Sequence, residues 1–202
     1  MIDIYNIGRP EFHDRVVQLM GSYRSGRGQE HFTTVTRHAM MLYEELYPRH
    51  QLDSRFRTIL WAAAMLHDIG ADAKCGDSPF SHAWRSADII LREDVRDNDI
   101  AAHEIAVVAS LHRREDSDED EILGMTYEPV KPFITPELLK LSAILRVADG
   151  LDRYPDPRIT KFTLIGDTVL VQGTGNGFGD NFEQAVAKSG LLKKELGLEL
   201  SR

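Results

Sequence analysis

The stretch that decides the fold is Leu60-Trp61-Ala62-Ala63-Ala64-Met65-Leu66-His67-Asp68-Ile69-Gly70. An uninterrupted apolar run predicts a buried helix, and Gly70 stops it just after an imidazole and a carboxylate. His67 offers a neutral ring nitrogen and Asp68 a hard oxygen where the helix runs out and the backbone can bend the two together. A polar pair closing a buried segment needs compensation, and a metal ion bound by both would provide it.

Working outward, apolar residues recur at three- and four-residue intervals through most of the first 150 positions. They predict helices near 10–21, 29–47, 53–67, 79–93, 97–112 and 135–149. Pro10 and Pro136 suit first-turn positions, Asp53 and Thr135 suit N-caps, and Pro48 and Gly70 punctuate helix ends. After Pro155 and Pro157 the pattern changes. Ile159 to Gln172 reads as two β-rich runs around Gly166-Asp167, hence a hairpin. A Gly-rich connector, 173–179, and a helix near 181–196 follow. The fold class expected is mainly α: a helical domain over 1–155, with a C-terminal β-hairpin plus helix, 156–202, packed on it.

Forty-two per cent of the residues are hydrophobic, enough for a core without staples, and the single cysteine, Cys75, excludes an internal disulfide. Met1 to Tyr23 is too charged for a signal peptide, and Ile59 to Leu66 is too short to span a bilayer. A cytoplasmic protein without membrane attachment is expected. The net charge of −8 opposes long nucleic acid as a partner. Much of the acidity falls in Glu115 to Glu121, which reads as a solvated loop.

Asp149 closes another apolar helix, Leu138 to Ala148, and again a buried carboxylate needs a partner. Asp152 and Arg153, one turn on, pair with each other in the simplest reading, and Asp152 stays open. His31 and His38 share one predicted helix and nearly one face. His82 begins a helix and His112 ends one. His103 reads as structural, His13 and His50 as surface residues, and Trp61 and Trp84 as core.

These residues resemble the HD-domain metal-dependent phosphohydrolases, which use the order His … His-Asp … Asp. The closer resemblance is to the HD module of the exopolyphosphatase/guanosine-pentaphosphate phosphatase family. It rests on Leu60 to Gly70, Ala109-Ser110-Leu111-His112-Arg113 and Ala143 to Arg153, and covers about residues 23–195. The resemblance implies an HD-type helical fold with metal ligands His67, Asp68 and Asp149. It favours His31 over His38 as the first ligand, with His38 as pocket wall or core. Some HD enzymes add two histidines that build a second metal position; His82 and His112 stand where these are expected, with phosphate binding or helix-end roles as alternatives. Histidine and carboxylate without thiolate suit one or two divalent ions among Mn, Fe, Co, Ni, Zn and Mg.

The reaction implied is hydrolysis of a small phosphorylated substrate, a nucleotide, guanosine polyphosphate or related ester or anhydride, by metal-activated water. Asp68 is the expected catalytic residue, both ligating and orienting the nucleophile. Arg113 with Arg114, Lys74, and Arg27 with Arg24 are the candidate substrate-binding cations. HD enzymes often carry a lysine soon after His-Asp-Ile-Gly, whereas here Ala71 and Asp72 intervene before Lys74. A regulatory or ligand-binding module is the competing expectation, since the relatives' HD module follows an actin-like ATPase-type region that this sequence lacks. A di-iron oxygenase is the third. The hairpin and final helix are candidates for closing over the site or for a homodimer contact.

Overall fold

The computed structural model describes residues 7–23, 28–71, 82–112, 127–154 and 158–202. Helices α1 (Pro10–Ser22), α2 (Gly28–Glu45), α3 (Tyr47–His50), α4 (Ser54–Leu66), α5 (His82–Arg92), α6 (Ala102–Ser110) and α7 (Pro136–Gly150) build the body. Local chemistry sets several boundaries. Pro10 and Pro136 open their helices. The Asp53 side chain accepts from the Arg55 amide and that of Thr135 from the Leu138 amide, each satisfying one orphan donor of a first turn. The helix expected over 29–47 breaks near Leu46, where the short α3 takes over.

α4 lies at the centre, packed on α1, α2, α6 and α7. Every residue from Ile59 to Leu66 is buried, so the second half of this helix is apolar all round rather than amphipathic. One buried histidine and one half-buried histidine complete the packing. His50, expected at the surface, is buried: its Nε2 is 2.8 Å from the Tyr43 carbonyl, and the Leu52 amide donates to its Nδ1. His13, also expected at the surface, is half-buried, with its ring stacked on Trp61 at a centroid distance of 5.1 Å. Both rings meet protein partners that helical periodicity does not reveal. Trp84, expected in the core, is only half-buried, beside Tyr127.

The C-terminal unit holds β1 (Arg158–Ile165), β2 (Thr168–Thr174), α8 (Phe178–Ala187), α9 (Gly190–Leu196) and β3 (Glu199–Ser201). β1 and β2 form the expected antiparallel hairpin, with Ile165 opposite Thr168 across Gly166-Asp167. Beyond the hairpin the structure departs from expectation. The single helix over 181–196 is two, separated at Lys188-Ser189, and β3 adds a third strand parallel to β2. Both helices pack on α7, and β1 packs on α2. Among the described residues, no helix is long and apolar enough to cross a membrane.

Candidate metal centre

Helix ends deliver the polar residues of the core to one place. His31 lies in the first turn of α2, His67 caps the C-terminus of α4 with Asp68 beside it, and His82 opens α5. His112 lies just beyond α6, and Asp149 is the penultimate residue of α7. Gly70 allows two of these ends to meet. A Cβ there would overlap the His82 carbonyl and come 2.5 Å from the Ser86 nitrogen, so only glycine lets α5 press against the turn that carries Asp68. The Gly70 amide donates to Ser86 Oγ at 2.9 Å, and Arg85 Nε donates to the Gly70 carbonyl at 2.7 Å.

Two clusters result, joined at the His67–Asp68 pair. In the first, His31 Nε2 is 3.3 Å from His67 Nε2, 3.5 Å from Asp149 Oδ1 and 3.6 Å from Asp68 Oδ2. In the second, Asp68 Oδ1 is 3.0 Å from His82 Nε2 and 3.3 Å from His112 Nε2, and those two nitrogens are 3.3 Å apart. The two oxygens of Asp68 therefore face different histidine pairs. One donor atom each from His31, His67 and Asp149 lie within 4.8 Å of one another, and so do those from His67, Asp68 and His112.

Hydrogen bonds on the far side of the rings fix which nitrogens can donate electrons. His67 Nδ1 donates to the Ala64 carbonyl and His112 Nδ1 to that of Ala109, both at 2.7 Å. His31 Nδ1 donates to Asp152 Oδ2, also at 2.7 Å. With Nδ1 protonated, each neutral ring turns an Nε2 lone pair inward. Asp68 Oδ1 makes no hydrogen bond of normal geometry despite its two imidazole neighbours. Converging lone pairs and carboxylate oxygens repel unless a cation lies among them. The donor set therefore fits a divalent ion of borderline or hard character.

The charges agree. Burial opposes ionisation of Asp68 and Asp149, yet both are held well below the usual carboxylate range by surrounding histidines and, for Asp149, by Lys188. Burial likewise disfavours charge on His31, but Asp149, Asp152 and Asp68 outweigh it and push the ring up to about 10. The metal-free centre thus captures a proton where an ion would bind. His112 goes the other way, down to about 4 through burial, and stays neutral.

The structure brings together His31, His67, Asp68, His82, His112 and Asp149, and leaves His38 out. His38 is fully buried on α2, neither ring nitrogen makes a hydrogen bond, and burial lowers it to about 3. Arg113, Arg114, Lys74, Arg27 and Arg24, the expected substrate-binding cations, lie outside the described residues, as do Cys75 and the acidic run. Two participants are additional. Asp152 bonds His31 instead of pairing simply with Arg153, an ion pair whose only sequence signal is a carboxylate one turn beyond Asp149. Lys188 contacts Asp149 Oδ2 from the end of α8, and its surroundings in sequence resemble any amphipathic surface helix.

The family model for the HD domain matches residues 28–154, and the chain belongs to this family. The matched segment contains all six clustered residues and Asp152, while the hairpin and the last two helices lie beyond it. The chain matches none of the curated proteins compared with it. HD domains are a superfamily of metal-dependent phosphohydrolases and bind divalent metals, and the buried His and Asp groups here are able to hold one.

Proposed function

We propose that the protein is a metal-dependent phosphohydrolase in which His31, His67, Asp68, His82, His112 and Asp149 hold one or two divalent ions. The observation that carries this reading is the pairing of His31 and His67 through Nε2 atoms 3.3 Å apart, with each Nδ1 already bonded to an acceptor. When bound, such ions supply an activated water and neutralise charge on a phosphoryl group. The chain's own residues do the rest. Asp68, with one oxygen toward each histidine pair, is the catalytic carboxylate: it joins the two halves of the centre and orients the attacking water. Asp152 holds the His31 ring in one tautomer and one orientation, and the Ala64 and Ala109 carbonyls do the same for His67 and His112.

The substrate in this reading is a small phosphorylated molecule, with guanosine polyphosphates and nucleotides first because of the resemblance to the exopolyphosphatase/guanosine-pentaphosphate phosphatase module. Net charge −8 disfavours long nucleic acid. Arg113, Lys74 and Arg27 are proposed to meet the phosphate. The test is phosphate release from a panel of nucleotides and guanosine polyphosphates with Mn, Mg, Co or Ni added. Metal-dependent release supports the enzyme. Metal uptake with ligand binding but no release indicates a regulatory module, and oxygen consumption by an iron pair indicates an oxygenase.

A further inference from the structure

Asp149 ties the clustered residues to the C-terminal unit through Lys188. Its two oxygens have different neighbours. Oδ1 faces His31 and His67, at 3.5 and 3.8 Å, while Oδ2 takes the ammonium of Lys188. The carboxylate is 5% exposed and the Lys188 side chain 16%, so this is a mostly enclosed ion pair, unlike a solvated surface pair.

Lys188 is held there by a fitted joint. A Cβ on Gly150, the residue after Asp149, would lie 2.7 Å from Ala185 Cα, so the backbones of α7 and α8 meet directly at this point. Asn181, fully buried on α8, fastens the same joint: its Nδ2 donates to the Leu151 and Tyr154 carbonyls at 2.9 and 3.1 Å, and its Oδ1 accepts from the Tyr154 amide at 2.8 Å. One turn of helix beyond Ala185 carries the lysine at the C-cap of α8. The close backbone approach and the Asn181 clamp leave α8 little freedom to slide, so the ammonium is delivered to Asp149 by construction. The family match ends at residue 154, and this cation comes from outside it.

We propose that Lys188 is a positioning residue of the metal centre. By engaging Oδ2 it holds Asp149 in one orientation with Oδ1 turned toward the histidines, which makes the last two helices part of the site. This inference rests on the metal-holding reading above. A ligating carboxylate fixed by an outer partner binds its ion better than one free to rotate, and loss of such partners typically costs about 10–100-fold in metal affinity.

The experiment is a Mn(II) titration of the full chain followed by electron paramagnetic resonance, comparing wild type, K188M and K188R. K188M removes the charge at similar length, and K188Q makes the same comparison if K188M does not fold. The expected result is about ten-fold weaker Mn(II) binding and an altered bound-ion spectrum in K188M, with both restored by K188R. Wild-type affinity and spectrum in K188M overturn the inference while leaving the metal centre standing. Equal impairment of K188M and K188R also overturns it, since packing alone then explains the loss. A wild-type protein that takes up no Mn(II), Co(II) or Fe(II) overturns the metal reading itself, and the inference with it.

Discussion

His31 and His67 approach each other through Nε2 atoms 3.3 Å apart, although each ring donates its Nδ1–H to an acceptor on its far side. Two neutral rings so arranged point lone pairs at a common space bordered by Asp149 and Asp68. Only a cation, a proton or a metal ion, makes that arrangement favourable. The expected behaviour of the protein follows from which cation is there.

In the metal-free protein the cation is a proton on His31, raised to about 10 by three carboxylates against the effect of burial. A raised pKa contributes stability fully present below the unfolded value near 6.5 and lost as pH rises toward about 10. A metal ion must displace this proton. Metal affinity is therefore expected to rise with pH across that window, by about ten-fold per unit while one proton is released. Isothermal titration calorimetry in buffers of different ionisation heat measures the release, and a pH-independent affinity contradicts the assignment.

Asp152 fixes the far side of His31 at 2.7 Å. Replacing it by Asn keeps the shape and removes the charge. Metal affinity is expected to fall by about 10–100-fold, with little change in the far-ultraviolet circular dichroism. An Asp152→Asn protein that binds metal as tightly as wild type removes Asp152 from the centre.

Gly70 tests the packing that brings His82 to Asp68. Gly70→Ala forces α5 away from the His67–Asp68 turn, because the new Cβ meets backbone rather than a flexible side chain. The expected cost is about 1–3 kcal/mol in urea unfolding, together with loss of metal at the His82–His112 side. Unchanged stability shows that α5 does not pack as described.

His38 provides a pH signature away from the site. Burial lowers it to about 3, so the unfolded chain binds a proton near pH 6.5 that the folded ring refuses. Stability from this residue is present above that pH and is lost as pH falls toward 3, at about 1.4 kcal/mol per unit. His38→Met is expected to flatten the acid-side decline by that amount, measured by urea unfolding between pH 7 and about 5. Parallel curves for the two proteins count against the burial of a neutral ring.

The parts of this molecule legible in the sequence are those where a polar residue interrupts a buried run. His67-Asp68 closes Ile59 to Leu66, and Asp149 closes the apolar stretch of α7; both mark helix ends that meet in the core. Periodicity could not separate His31 from His38, because they lie seven residues apart on nearly one face of α2 and both are buried; contact with Asp68 and Asp149 distinguishes them. Asp152, Lys188 and the buried His50 were illegible for a common reason. Their partners, His31, Asp149 and the Tyr43 carbonyl, are set by tertiary packing, and a lysine near the end of an amphipathic helix carries no mark of what it will touch.

Elemental analysis decides whether these six side chains hold divalent metal. Wild-type protein equilibrated with Mn(II), Fe(II), Co(II) or Zn(II) and then passed through a desalting column is expected to retain one or two ions per chain, matching the two donor clusters that share His67. Asp68→Ala, which removes the carboxylate facing both histidine pairs, is expected to retain markedly fewer. Wild-type protein that emerges without metal, or an Asp68→Ala protein that keeps as much as wild type, shows that these side chains are not a metal centre.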